Sequence, residues 1–167
     1  MPTAITPDLP GVAAAFNAAA ARYVVIGGFA VAALQFVRAT DDSDLLVPDD
    51  EENDQNVLAA LKALNARLND GQPVTPANIS SDHVRVFSDR HGIVDLLKEG
   101  APPLDFESVH RDSRVAEVSG VPVRFAGLAS VVAFKRLAGR PRDRRDIEEL
   151  EEIHGPLPIL PVPGVDS

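Results

Sequence analysis

The sequence predicts one domain of mixed α/β (α+β) class, a mixed β-sheet with flanking helices. Short β-branched or alternating runs (YVVI, SDLLV, HVRVF, GIVDLL) are interleaved with longer segments whose apolar residues recur at helical spacing. Two pairs of such runs are separated by turn-sized loops, so part of the sheet is antiparallel. At 167 residues, with no internal repeat and no linker-like change of composition, the chain has room for one core.

The elements follow in order. Residues 10–21 are alanine-rich and predict a helix that Asp8 is placed to start. Residues 23–26 form a compact strand stopped by a tight Gly27-Gly28 turn, and residues 29–36 return to helical spacing. The strand at 43–47 closes at Pro48. Asp49, Asp50, Glu51, Glu52 and Asp54 then open a helix reaching about Leu68, striped by Val57, Leu58, Leu61, Leu64 and Leu68; acids there favour the positive end of the helix dipole. Residues 69–81, with two prolines, predict a loop. Strands at 83–87 and 92–97 are joined by the turn Ser88-Asp89-Arg90-His91. After a less regular stretch, strands at 114–118 and 121–125 flank Ser119-Gly120. Helices at 128–137 and 143–153 are separated by Gly139-Arg140-Pro141. The domain is expected to span 1–154, because the segment 155–167 holds four prolines and cannot continue a helix.

Composition narrows the chemistry. A chain that is 45% hydrophobic and 25% charged is ordinary globular protein rather than disordered or fibrous. The absence of cysteine excludes disulfides, zinc ribbons and a thiol nucleophile, so a metal would fall to carboxylates or to the four histidines. His83, His91, His110 and His154 are scattered without metal-ligand spacing; His91, four residues before Asp95, is expected near the site described next. The net charge of −9 argues against a nonspecific nucleic-acid coat. The N-terminus lacks the basic region of a secretory signal, and the longest apolar stretch is broken by Gly27, Gly28 and Gln35. A cytoplasmic protein with no membrane association is therefore expected.

Asp42 and Asp44 stand two apart at the start of a strand, so both emerge from one face while Ser43 and Leu45 face the other. Carboxylates so close repel unless a cation sits between them, and a hard, oxygen-preferring ion such as Mg²⁺ suits the gap. Asp95 interrupts the apolar strand GIVDLL, where an uncompensated charge is costly, and the same metal would compensate it. An Asp-x-Asp taken singly is a weak signal, and the residues alone also allow turn and cap roles for Asp42 and Asp44 and an arginine partner for Asp95.

The stretches YVVIGGFAVAALQFVRATDDSDLLV, VDLL and FKRLAGRPRDRRDIEELE resemble the minimal nucleotidyltransferases of the DNA polymerase β superfamily. The likeness is to the bacterial toxin-type branch, with mycobacterial toxins that add nucleotides to tRNA and AbiE-type toxins, and it spans residues 22–151. The resemblance implies a polymerase-β-like nucleotidyltransferase fold and a Mg²⁺-dependent transfer of NMP from an NTP. Asp42, Asp44 and Asp95 would hold two Mg²⁺, Asp95 helping to deprotonate the attacking hydroxyl. Gly27 and Gly28 would contact the triphosphate, Lys135 would reach it, and Arg136 and Arg140 lie near Lys135. Arg38 and Thr40, just before the acids, are further candidates for phosphate contact, although a salt bridge and a local cap read equally well. A phosphate on Thr40 would add about two negative charges beside the acids and switch the site off. Ser43 stands where the family has an aliphatic residue, and Gly28 where many relatives have serine.

For the acceptor, Lys135, Arg136, Arg140, Arg142, Arg144 and Arg145 against Asp143 make a basic window that reads by itself as a solvated helix face but, beside the acids, suits a phosphate-bearing partner such as the 3′ end of tRNA or another RNA. With no Trp and one Tyr there is no stacking platform for base-specific reading. A toxin of this kind implies a cognate antitoxin. Other readings are transfer to a protein or to a small hydroxylated molecule such as an aminoglycoside, and a non-catalytic binding module.

Overall fold

The computed structural model describes residues 6–34 and 40–166. Helix α1 (Leu9–Ala18) is capped by Asp8, whose carboxylate accepts from the Gly11 amide at 3.1 Å. Strand β1 (Val24–Ile26) runs directly into α2 (Gly27–Ala33), so the glycine pair opens a helix rather than a separate turn. Strand β2 (Asp42–Val47) leads to α3 (Glu51–Ala63), whose cap, Asp50, accepts from the Asn53 amide. The hairpin of β3 (His83–Ser88) and β4 (Gly92–Lys98) is followed by α5 (Phe106–Asp112), and that of β5 (Arg114–Val118) and β6 (Val121–Phe125) by α6 (Leu128–Ala138) and α7 (Pro141–His154).

Three further segments differ from the sequence expectation. Helix α3 ends at Ala63 instead of about Leu68 because Asn65 turns to φ 52° and Arg67 exchanges backbone hydrogen bonds with Phe87 (2.9 and 2.8 Å), covering the outer edge of β3. The 69–81 loop contains a short helix, α4 (Pro76–Ile79), held by a Thr75/Asn78 capping box. The less regular stretch after Gly100 contains α5, started by Asp105, which accepts from the Ser108 amide.

The six strands form one mixed sheet in the order β3-β4-β2-β1-β6-β5. β2 and β4 are parallel, as are β1 and β6, while the β1–β2 pair and both hairpins are antiparallel. One face presents Val25, Leu45, Val47, Val86 and Val94 to α1 and α3, through Val12, Phe16, Val57 and Leu61. The other presents Val24, Ile26 and Leu46 to Ala30, Phe106, Val109, Val131 and Leu150 of α2, α5, α6 and α7. The 155–166 segment folds back on α6: Val162 is buried against Leu104 and Ala133, and Arg136 pairs with Asp166 at 2.6 Å. Among the described residues no helix is long and apolar enough to cross a membrane.

Candidate active site

The two-residue period of β2 aims Asp42 and Asp44 together onto the face of Leu46, the one covered by α2, α5, α6 and α7, and Ser43 into the opposite core, where it is fully buried. Parallel pairing with β4 sets Asp44 directly opposite Asp95. One carboxylate oxygen from each of Asp42, Asp44 and Asp95 lies within 4.8 Å of the others. The three acids singled out in the sequence thus converge from two strands, and an all-oxygen donor set of this charge fits a hard divalent cation.

Close backbone approach shapes the neighbouring turn. Gly27 has φ +71°, and a Cβ there would sit 2.1 Å from Asp44 Oδ2, so any side chain would intrude on the carboxylate. A Cβ on Gly28 would meet Thr40 Oγ1 at 2.7 Å. Thr40 Oγ1 is itself enclosed and has no hydrogen-bond partner among the described residues, so the hydroxyl that would carry a phosphate is shielded. Arg38 lies outside the described residues.

Two residues not singled out in the sequence complete the cluster. Arg85, opposite Asp95 on β3, donates from Nε to Asp95 Oδ1 at 2.9 Å and from Nη2 to Asp95 Oδ2 at 2.8 Å, and Nη2 also reaches Asp42 Oδ2 at 3.1 Å. His83 Nε2 lies 3.1 Å from Asp95 Oδ1. The arginine partner that Asp95 allowed therefore exists alongside the carboxylate triad.

These contacts divide the acids. Burial, reinforced by the charges of Asp42 and Asp95, pushes Asp44 up to about 7. Burial and the nearness of Asp95 also raise Asp42. Burial alone would raise Asp95, but hydrogen bonds from Arg85, with help from Asp42 and His83, outweigh it and hold that carboxyl below its ordinary range. One guanidinium facing three acids leaves a surplus of negative charge, centred on Asp44, that a divalent cation would neutralise.

Beyond Gly27 a cavity of about 220 Å³ runs between the sheet and α6, with Ile26, Leu97 and Phe134 among its apolar walls and Lys135 and Arg140 at its rim. Lys135 Nζ is 2.7 Å from Asp146 and 3.3 Å from Asp143, and Arg140 Nε donates to Asp143 at 2.6 Å. Asp143 is 1% exposed; burial raises it, but its bonds to Arg140 and Lys135 prevail and bring it down to about 2. The basic window is thus braced internally by acids, with Arg142, Arg144 and Arg145 exposed on α7. Arg136 turns to the C-terminal segment, donating to the Leu160 carbonyl. His91, expected near the site, instead lies at the hairpin tip 2.7 Å from Asp8 Oδ2, at the start of α1, which packs on the opposite face of the sheet.

No family model and no curated protein sequence matches the chain. Solved structures do match it. A crystal structure of ANT(2″)-Ia in complex with adenylyl-2″-tobramycin is 17% identical at a TM-score of 0.55, over 87% of this chain and 91% of that one. A solution structure of the antibiotic-resistance factor ANT(2″)-Ia is 16% identical with a TM-score of 0.55, over 87% and 86%. An antigenic nucleotidyltransferase-like protein from Paracoccidioides brasiliensis is 16% identical with a TM-score of 0.58, over 86% of this chain and 72% of that one. What the chain shares with these proteins is the nucleotidyltransferase fold, a mixed sheet with flanking helices.

Proposed function

We propose that the chain is a Mg²⁺-dependent nucleotidyltransferase that moves NMP from an NTP to a hydroxyl acceptor and releases pyrophosphate. The observation that carries this reading is the convergence of Asp42, Asp44 and Asp95 within 4.8 Å, next to the Gly27-Gly28 turn. Two Mg²⁺ held by these acids would polarise the attacking hydroxyl and stabilise the leaving pyrophosphate. Gly27 and Gly28 keep the backbone open to the triphosphate, and Thr40, whose enclosed hydroxyl has no hydrogen-bond partner among the described residues, is assigned to the support of that turn through its packing on Gly28. Lys135 and Arg140, fixed by Asp143 at the rim of the cavity, supply positive charge toward the phosphates, and Arg38 is assigned to the same region, whereas Arg136 is committed to Leu160 and Asp166 of the C-terminal segment. Asp95 is assigned to the acceptor side, where it orients the hydroxyl and takes its proton; Arg85 lowers its basicity, so that contact must loosen as the proton moves.

The acceptor we favour is RNA, the 3′ end of tRNA, with the chain acting in the cytoplasm as the toxin of a toxin-antitoxin pair. The sequence resemblance and the exposed Arg142, Arg144 and Arg145 support it. A second reading, transfer to a small hydroxylated molecule, is favoured by the likeness to a fold that holds adenylyl-2″-tobramycin. The test offers each NTP, labelled at its α-phosphate, with Mg²⁺ and in parallel total tRNA, an aminoglycoside panel or a protein extract. Label on tRNA supports the first reading and label on an aminoglycoside the second. Label on neither, with protein alone modified, contradicts both.

A further inference from the structure

Arg85 holds oxygens that a bound cation would need. Its Nη2 donates both to Asp42 Oδ2 (3.1 Å) and to Asp95 Oδ2 (2.8 Å), bridging two of the three acids, while Nε holds Asp95 Oδ1 (2.9 Å). The side chain is 48% exposed, so the guanidinium has solvent to move into. Asp95, by contrast, is 4% exposed and keeps a second partner in His83. The two ends of the bridge are therefore unequal: the contact with Asp42 is single and exposed, and that with Asp95 is two-pronged and made to a buried carboxylate.

We infer that Arg85 is the site's own counter-ion and competes with divalent cations for Asp42 and Asp95, so that a cation binds by releasing Nη2 from Asp42 while Nε keeps Asp95 oriented. This rests on the metal-dependent reading above. Arg85 then performs two tasks. It offsets the repulsion among the three carboxylates, which costs the fold free energy when nothing cationic is near. It also sets a threshold for cation binding, because the same oxygens cannot fully serve both charges.

The experiment titrates the full chain with Mn²⁺ alone and reads binding by electron paramagnetic resonance for wild type, Arg85→Gln and Arg85→Lys. Removing a unit charge this close to the ligands is expected to tighten Mn²⁺ binding by about tenfold or more in Arg85→Gln. Arg85→Lys, which keeps the charge but loses the fork, is expected to stay within about threefold of wild type. Unchanged or weaker binding in Arg85→Gln, with wild type binding normally, overturns the competition. No Mn²⁺ binding by wild type overturns the metal reading itself. A second readout needs no variant: in the wild-type NMR spectrum the Arg85 side-chain signals should shift in step with added Mg²⁺, and signals that stay still while Mg²⁺ binds overturn the inference.

Discussion

Asp44 and Asp95 face each other directly across the parallel ladder of β2 and β4, yet only Asp95 has the Arg85 guanidinium on it. The pair is consequently split, with Asp95 held ionised and Asp44 raised to about 7. A carboxyl whose folded value lies above its unfolded one contributes stability that is fully present below about pH 4 and is lost as pH rises through its folded value near 7. Asp95 and Asp143 run the other way, stabilising above the ordinary carboxyl range, so they add no slope near neutrality. With a chelator present, thermal stability should fall between about pH 5 and pH 8, and Asp44→Asn should flatten the curve. Thermal melts at several pH values decide it; an unchanged slope in Asp44→Asn would sink the assignment.

Gly27→Ala forces a methyl against Asp44 Oδ2 from a backbone at φ +71°. A loss of about 1–3 kcal/mol is expected from the backbone strain alone. Transfer activity should fall further than stability, because the displaced group is a carboxylate of the triad. Urea unfolding together with turnover measures both.

Thr40 occupies space that a side chain at position 28 would need, with its Oγ1 2.7 Å from the Cβ site. Gly28→Ser should therefore destabilise on its own and be partly rescued by Thr40→Ala. A double-mutant cycle is expected to give a coupling of about 0.5–3 kcal/mol, and additivity of the two changes would show that they do not compete for space.

Ser43 carries a buried hydroxyl without a hydrogen-bond partner among the described residues, in a core lined by Leu45 and Val94. Ser43→Ala removes the polar atom without adding volume and should stabilise the fold by about 1 kcal/mol. The denaturation midpoint should rise with no change in denaturant dependence; a lower midpoint would mean that the hydroxyl has a partner.

The sequence carried the acids well and their cationic neighbour poorly, for a reason of register. The alternation in SDLLV is local and aims Asp42 and Asp44 together wherever the strand lies. Arg85 depends on the hairpin. A turn taken as Ser88–His91 would pair Phe87 with Gly92 and set Arg85 opposite Val94, one residue out of register and on the face away from Asp95. The observed turn is one residue shorter: Ser88 pairs with Gly92, and Arg85 with Asp95. Because side chains alternate, that single residue moves Arg85 and His83 into the site. The bracing of Lys135 by Asp143 and Asp146 was hidden similarly, since it depends on how α6 and α7 pack, whereas composition alone made the segment look like a free basic patch. Helix α5 has only seven residues, too few for apolar spacing to stand out in the sequence.

The most direct measurement of the central claim compares NTP labelled at the α-phosphate with NTP labelled at the γ-phosphate, incubated with the full chain, Mg²⁺ and a cell extract. Nucleotidyl transfer predicts that acceptor material gains label from the α-position only, and that Asp42→Asn abolishes the gain while the protein remains folded. Label arriving from the γ-position, or equal α-label with Asp42→Asn, would contradict the account.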